Sequence, residues 1–536
     1  MLLDLEELST AFLAIPVADV CIAGAGIAGL VLASSLADAG VRVTLLEAGG
    51  RKCENRSQIL YDAEMAATKH TGTTEGRFRV FGGSSVRWGG QLLPYTDDIF
   101  SPDSGLTSPR WPITAAELEP FYSKVESILN ANDLPFNTEL YRALGMRVPA
   151  NFESNPNINL RFSKWAPFSH RNVARTLGEK AIASDRITVV LHANTTECLL
   201  STNGSRIEAL LARNYEGRCF RFEAERYVVA TGTIETSRLL LASRSVCPNG
   251  VGNEYNQVGR NFHDHVSAAV AHLDGEARHK LLSWLGPFFT KRTMHTARLE
   301  ATPALRRRLD LLAVNAHVSI EEPHESPADV ARELIRSIQR GNLRSVIKER
   351  YLQLPAASLH LVRLAYNWKI RKRRAISKSA AVKLHVDCEQ RPRSENRIYL
   401  SAKSHDTLGI PKAVVDWRVS SEELRSLRCY AEWLREELKR VDAPGINWKL
   451  DSANGDGTNF PDVRDTNHAM GGTIMGRDPA YSVVDADLRV HGLSNLYIAS
   501  CSTYPAGGSS NPTFSLMALT LRLAEHITKR LRQSGL

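Results

Sequence analysis

The sequence predicts an α/β protein of at least two domains that opens with a Rossmann-like unit. Three observations carry this. A chain of 536 residues is several times a typical domain. With 43% hydrophobic and 23% charged residues it has ample material for packed cores. Residues 20–47 read as strand, glycine turn, helix and second strand.

The elements follow in order. Residues 20–37, VCIAGAGIAGLVLASSLA, are 18 uncharged positions that hydropathy alone would assign to a membrane span. Asp19 before the run and Gly24, Gly26 and Gly29 near its start divide it into strand, tight turn and helix. Val20 to Ala23 is a short apolar strand, and Ile27 to Ala39 is a helix ended by Gly40. Val41 to Glu47 is a second strand, rich in β-branched residues. A Gly/Ser/Trp loop occupies 82–90, and a helix runs from about Thr114 to Ala131. Val189 to Leu200 reads as one strand. Tyr227 to Gly232 is strand-like and leads into a helix from Glu235 to Ser243. Residues 280–380 are the least patterned stretch and read as mostly helical. Ser421 to Arg440 is an amphipathic helix with a serine at its start to cap it. Leu496 to Ala499 is a strand, and Thr513 to Leu531 is a long helix rich in Leu and Ala.

Composition narrows the function classes. Mean hydropathy is −0.24, which argues against a polytopic membrane protein. Net charge is +9, from 67 basic and 58 acidic residues. The excess sits in one place, since Arg332 to Arg374 holds twelve Lys or Arg against Glu333 and Glu349. The remainder is close to neutral, so no nucleic-acid partner is expected. Within the basic segment, Arg332, Arg336, Arg340, Arg344 and Lys348 recur every four residues, and Leu352 to Trp368 is largely apolar. The segment is expected to be a solvated face, or to meet an anionic membrane surface or an acidic protein partner.

Eight cysteines without a C-x-x-C pair argue against a disulfide scaffold or a cysteine zinc module, and fit a reducing cytosol. Asp4, Glu6 and Glu7 are unlike a basic signal-peptide start, and Ser534-Gly535-Leu536 lacks the lysine of a peroxisomal address. The expected location is the cytoplasm, or the inner face of a membrane. No metal site is expected, because His263-Asp264-His265 offers two imidazoles without a third partner. A serine hydrolase is disfavoured by the lack of a G-x-S-x-G elbow.

The first chemical assignment comes from Gly24-x-Gly26-x-x-Gly29. Gly24 permits the tight turn, Gly26 lets the backbone approach a pyrophosphate, and Gly29 lets helix and strand pack closely. The N–H groups at the helix start then face the phosphate charge. Glu47, at the end of the second strand, is placed to accept hydrogen bonds from a ribose diol, and its charge disfavours a 2′-phosphate.

This motif alone does not separate FAD from NAD. Beyond it the chain carries Leu46-Glu47-Ala48-Gly49-Gly50, Gly82-Gly83-Ser84-Ser85-x-x-Trp88-Gly89-Gly90 and Ala230-Thr231-Gly232-x-x-Glu235-Thr236. Further on come Val258-Gly259-Arg260-Asn261 with Asp264-His265, Glu389-Gln390 with Pro392 and Asn396-Arg397, and His468-x-x-Gly471-Gly472-x-x-Met475-Gly476. A C-terminal block runs from Val490-His491-Gly492 through Asn495-Leu496-Tyr497 to Asn511-Pro512-Thr513. In this order the pieces resemble the glucose-methanol-choline (GMC) family of flavoprotein oxidoreductases, closest to its pyranose-oxidase and glycoside-oxidase branch.

The resemblance implies a discontinuous FAD-binding Rossmann-like domain at 1–105, 168–265 and 472–536. It implies an α+β substrate domain with an antiparallel sheet at 106–167 and 266–471, here with a basic helical insertion at about 325–376. FAD is expected against Gly24, Gly26, Ile27, Ala28, Gly29, Glu47 and Ala48, and against Gly82, Gly83, Ser84, Arg87, Trp88 and Gly89. Thr196, Thr231, Gly232, Ser500, Asn511, Pro512 and Thr513 complete the expected contacts. Ser500 departs from the family, where many members carry Asp. Arg87 departs too, standing where some members carry the histidine that bonds FAD, so FAD is expected to be non-covalent.

Oxidising an alcohol through a flavin moves a hydride from carbon to flavin N5, and the hydroxyl proton must also leave. An alkoxide is out of reach near neutral pH, so a positioned base is needed, and histidine suits the task. The resemblance points to His468 as that base and to Asn511 as the partner that orients the hydroxyl oxygen. Asn511 before Pro512 also reads as a helix cap with a proline at the first helical position. The expected activity is FAD-dependent oxidation of an alcohol to a carbonyl, on a small-molecule sugar or glycoside. The alternatives are a sterol or other non-sugar alcohol, or a flavin-binding partner subunit without turnover. The electron acceptor is expected to be O2, a quinone or a redox protein.

Overall fold

The computed structural model describes residues 1–8, 17–101, 111–153, 155–324, 326–340, 347–440, 445–450 and 462–534. Two sheets organise them. The first has six parallel strands in the order Leu2–Asp4, Ile187–Leu191, Val43–Leu46, Ala18–Ala23, Ala224–Val229, Leu496–Ile498. Its central strands are almost continuously apolar because helices cover a parallel sheet on its faces. The uncharged run at 20–37 is thereby explained as a buried strand followed by the helix Ile27–Asp38. That helix packs against Leu177–Ala183 and Pro512–Gln533, so it buries residues all round its circumference. Among the described residues no helix is long and apolar enough to cross a membrane.

The glycine turn is sterically forced. Gly24 has φ +102°, a region open to glycine. A Cβ on Gly29 would lie 1.9 Å from the carbonyl oxygen of Gly24. Helix and turn can approach this closely only without that methyl.

The second sheet has nine strands, all pairing antiparallel. Its path runs Ile446–Trp448, His265–Leu273, Ala381–Glu389, Val314–Glu321, Thr293–Ala301, Ile158–Trp165, Gln91–Leu92. Phe288–Thr290 and Arg464–Asp465 pair at its sides. Gln91–Leu92, inside the 1–105 segment, thus adds to this sheet. The helix Ser421–Lys439 packs on it, opened by Ser420 and Glu423 in a reciprocal capping box.

Two readings of the sequence need correction. Val189 to Leu200 is two strands rather than one. His192, at φ +52°, ends the parallel strand, and Asn194–Leu200 joins Ile207–Arg213 and Cys219–Phe222 in a separate antiparallel sheet. Residues 280–380 are helical over just over half of their described length, and the reading missed three strands of the nine-stranded sheet that also lie there. The helices of that stretch include Pro327–Arg340 and Leu354–Tyr366, which share a small core of Val330, Ala331, Leu334 and Ala357. Arg344 and the side chains of Arg332, Arg336 and Arg340 lie outside the described residues. All eight cysteines are free, and Cys53 and Cys219 are exposed.

Gly29→Ala is expected to lower the thermal midpoint by several degrees and to reduce flavin retention after dialysis, because the methyl and the Gly24 carbonyl cannot occupy one place. Differential scanning calorimetry and the flavin absorbance of the purified protein check this.

Candidate active site

A cavity of about 570 Å³ opens where the parallel strands end. Gly24, Glu47, Ala230 and Ala499, each the first residue past a strand, line it. Ligands bind at this edge of open α/β sheets because loops there are free of the ladder. Three helices begin at the same cavity: Ile27–Asp38 after Gly26, Thr233–Ala242 after Gly232, and Pro512–Gln533 after Asn511. None has a side-chain cap. Their first-turn N–H groups therefore face the cavity as donors with no side chain to satisfy them, a surface suited to an anionic or acceptor-rich ligand.

The glycine loop closes one side. The Gly82 N–H donates to the Ala25 carbonyl at 2.9 Å. A Cβ on Gly83 would stand 2.9 Å from Gly26 Cα, so the two backbones touch with no room for side chains. Arg87 lines the cavity with its guanidinium over the Phe78 ring, 4.9 Å from the centroid.

Glu47 is buried, and burial raises its pKa to about 7. Its two oxygens accept the N–H of Ala25 at 3.0 Å and of Gly49 at 2.9 Å. It therefore ties the glycine turn to the second strand, and each oxygen retains a second lone pair. Nearby, Arg77, Arg79 and Arg238 converge on Glu235, and Arg238 also pairs with Asp406 at 2.6 Å. Burial works to raise the Glu235 pKa, but the three guanidinium groups hold it below the ordinary value. Three cations against two carboxylates leave this wall positive, which suits a diphosphate.

At the other end lies His468. Its loop is pinned twice to the strand that begins at His265. Arg464–Asp465 pairs with Val266–Ser267, and His263 and Met470 exchange backbone hydrogen bonds of 2.9 and 2.8 Å. Between the pins the buried Asp264 carboxylate accepts five hydrogen bonds. The donors are His70 Nε2, the backbone N–H of His265, Thr466 and His468, and the Thr466 hydroxyl. Burial alone would raise the Asp264 pKa, yet it is lowered, chiefly by the His70 hydrogen bond and charge.

The contacts also assign the His468 tautomer. His265 Nε2 lies 2.8 Å from the Gly508 carbonyl oxygen, which can only accept, so that nitrogen carries the proton. In the neutral ring His265 Nδ1 is then an acceptor, 2.9 Å from His468 Nδ1. His468 Nδ1 therefore donates, to His265 and to the Thr466 oxygen at 2.8 Å. His468 Nε2 is left with its lone pair, 2.8 Å from the Asn511 amide nitrogen. The Asn511 orientation is fixed independently, because Arg298 donates to its Oδ1 at 2.6 Å. Burial, reinforced by His265, lowers the His468 pKa from 6.5 to about 3.

All the expected site residues except Gly29 and Gly82 line this cavity, Thr196, Ser500 and Thr513 included. Gly29 and Gly82 shape it from behind, Gly82 being pressed against Ala174. Asn511 occupies the cap position, but its side chain makes no cap bond and is spent on His468 and Arg298. Sequence reasoning missed Asp264 as the anchor of the His468 loop, and missed Arg298, Arg77 and Arg79. Nothing local in the sequence marks Arg298; Asp264 was visible as the middle of His263-Asp264-His265 and in the Asp264-His265 piece of the family pattern, neither of which shows it as an anchor.

Comparison with known proteins fits this geometry. A FAD-binding-domain family model matches residues 17–79, and two GMC oxidoreductase models match 117–267 and 392–520. The protein is thus an FAD-dependent oxidoreductase acting on CH–OH groups. It belongs to the GMC oxidoreductase family. The fructose dehydrogenase large subunit of Gluconobacter japonicus is 25% identical, over 96% of this chain and 98% of its own. Paromamine 6'-oxidase of Streptomyces fradiae is 25% identical, over 95% of this chain and 91% of its own. The 6'''-hydroxyparomomycin C oxidase of Streptomyces lividus is 24% identical, over 96% and 92%. The crystal structure of pyridoxine 4-oxidase from Mesorbium loti shares the fold, with a TM-score of 0.60 at 16% identity, over 95% of this chain and 99% of its own.

Asp264→Asn would face a cage of five donors with an amide that itself donates. It is expected to destabilise the protein by about 2–4 kcal/mol, seen as a lower thermal midpoint of the holoprotein.

Proposed function

We propose that the protein oxidises a hydroxyl-bearing carbon of a sugar or glycoside, with His468 as the base and non-covalent FAD. The observation that carries this is the acceptor lone pair of His468 Nε2 at the cavity wall, where the Asn511 amide donates to it at 2.8 Å. Bound FAD would accept the hydride released by the alcohol carbon. The residues placed to hold it are Glu47, the Gly83 to Gly89 loop and the three uncapped helix starts. His468 Nε2 takes the hydroxyl proton, and the Asn511 N–H then turns to the substrate oxygen as negative charge develops there. Its low pKa keeps His468 in the acceptor form near neutral pH, while Asp264 and Asp387 act the other way and favour the imidazolium once it forms. The choice of a sugar rests on the names of the relatives, a fructose dehydrogenase subunit and two aminoglycoside oxidases. The words "large subunit" in the first of these names support a protein partner among the candidate electron acceptors.

Anaerobic flavin bleaching by a panel of alcohols tests the reading. Bleaching by sugars is expected; bleaching by other alcohols alone, or by none, would overturn the substrate class or the turnover itself. His468→Ala is expected to slow bleaching by roughly 10²- to 10⁴-fold with flavin still bound. An unchanged rate would remove His468 from the chemistry.

The pH dependence follows from the same ring. A folded pKa of about 3, below the ordinary 6.5, means the unfolded chain binds the extra proton first. The stability this contributes is present above pH 6.5 and is lost as pH falls toward 3. The bleaching rate should correspondingly show no inflection near pH 6.5 that His468→Ala abolishes. Because Arg87 cannot form a histidyl link, acid precipitation should leave the flavin in the supernatant; flavin in the pellet would refute non-covalent binding.

A further inference from the structure

The helix Leu354–Tyr366 and the turn Asn367–Arg371 that continues it are apolar on two opposite faces. One face, with Leu354, Ala357 and Leu361, packs on Val330, Ala331 and Leu334 of the neighbouring helix. The other holds Leu359, Val362, Tyr366 and Ile370, which are 72%, 67%, 52% and 67% exposed. At spacings of three, four and four they fall within an arc of about 80°. A surface helix ordinarily turns polar residues outward, so this second stripe is an anomaly. Tyr351 and Leu352 extend it, each largely exposed, and Trp368, 44% exposed, follows Tyr366 in the chain.

The charge around the stripe has one sign. From Tyr351 to Arg374 there is no acidic residue. Arg363, Lys369, Arg371 and Lys372 are exposed, and Lys369 and Lys372 have no acidic partner among the described residues. Aliphatic side chains flanked by Tyr, Trp, Lys and Arg match the composition of a membrane interface. Protein interfaces, by contrast, are depleted of Lys at their centres. The helix has 13 residues, which is too short to span a bilayer but suits lying in its surface.

We propose that this face docks on an anionic lipid bilayer, with Leu359, Val362, Tyr366 and Ile370 entering the headgroup boundary and Lys369, Arg371 and Lys372 meeting lipid phosphates. A second cavity, of about 850 Å³, adjoins this segment. Leu364, Trp368 and Arg374 line it together with Trp165, and Trp165 also lines the cavity that holds His468. The docking surface is therefore one cavity away from the oxidation site.

Co-sedimentation of the flavin-loaded protein with phosphatidylcholine vesicles, with and without phosphatidylglycerol, tests the proposal. The wild type should pellet with the anionic vesicles at low salt and be released at high salt. Joint replacement Lys369→Gln, Arg371→Gln and Lys372→Gln should weaken pelleting by at least about tenfold. Leu359→Glu with Val362→Glu should abolish it. Flavin absorbance and thermal midpoint should match wild type in the charge variant, whose side chains are solvent-facing, so the test survives if the glutamate pair misfolds. Wild type left in the supernatant with anionic vesicles at low salt overturns the proposal. So does pelleting that is indifferent to the charge variant. A dimer in light scattering that the glutamate pair dissociates, with no vesicle binding, would assign the face to a second copy of this chain instead.

Discussion

One carbonyl oxygen, that of Gly508, decides which nitrogen of His468 keeps its lone pair. It fixes the proton of His265 on Nε2, His265 then accepts from His468 Nδ1, and the lone pair of His468 is left on Nε2. Gly508 is itself held, since its N–H donates to the buried Glu389 carboxylate at 3.0 Å. The relay is protected because Gly508 and His265 are buried and His468 is half-buried against them: a water admitted between the two rings would offer either nitrogen a partner and leave the tautomer unassigned. Burial thus does two jobs at once, suppressing the imidazolium and preserving the order of donors and acceptors.

The two sheets divide the labour. The parallel sheet supplies helix starts and strand ends, features that recognise phosphate and acceptor groups through backbone N–H. The antiparallel sheet supplies side chains: Arg298 from one strand, and Asp264 and His265 from the start of another. Asn511 stands where the two systems meet. It begins a helix of the first and is oriented by an arginine of the second. That explains why the last helix dispenses with a side-chain cap although the residue at its start is one of the best capping types.

Much of this was legible in the sequence, and the parts that were not share a physical cause. Gly24, Gly26, Gly29 and Glu47 could be read because a turn of this kind leaves few residue choices, and the strand and helix around it are apolar in a recognisable order. The strands Thr293–Ala301 and Val314–Glu321 could not. They carry Arg298, Glu300, Asn315 and His317, polar residues facing other polar residues, so the alternation that marks a half-buried strand is inverted or lost. The break at His192 was hidden by the β-branched residues on both sides, where a non-glycine residue at positive φ leaves no compositional mark. Asp264 was visible as a motif but not as an anchor, because four of its five donors come from residues about two hundred positions away.

The edge strand Leu496–Ile498 and the helix Pro512–Gln533 are the last parts of the cavity to be made. The strand pairs with Ala224–Val229, and the helix packs on Ile27–Asp38 near the opposite end of the chain. A ribosome therefore makes both of these segments before the nucleotide site has its final wall. Until then the glycine turn is present but open on the side where Asn511 and Ser500 will stand. Contacts of such long sequence separation form late, since a large loop must close before they are rewarded. A cofactor can consequently meet the finished site only after these two segments have docked, and the partly built apolar sheet edge beside it must be kept from other chains in the interval.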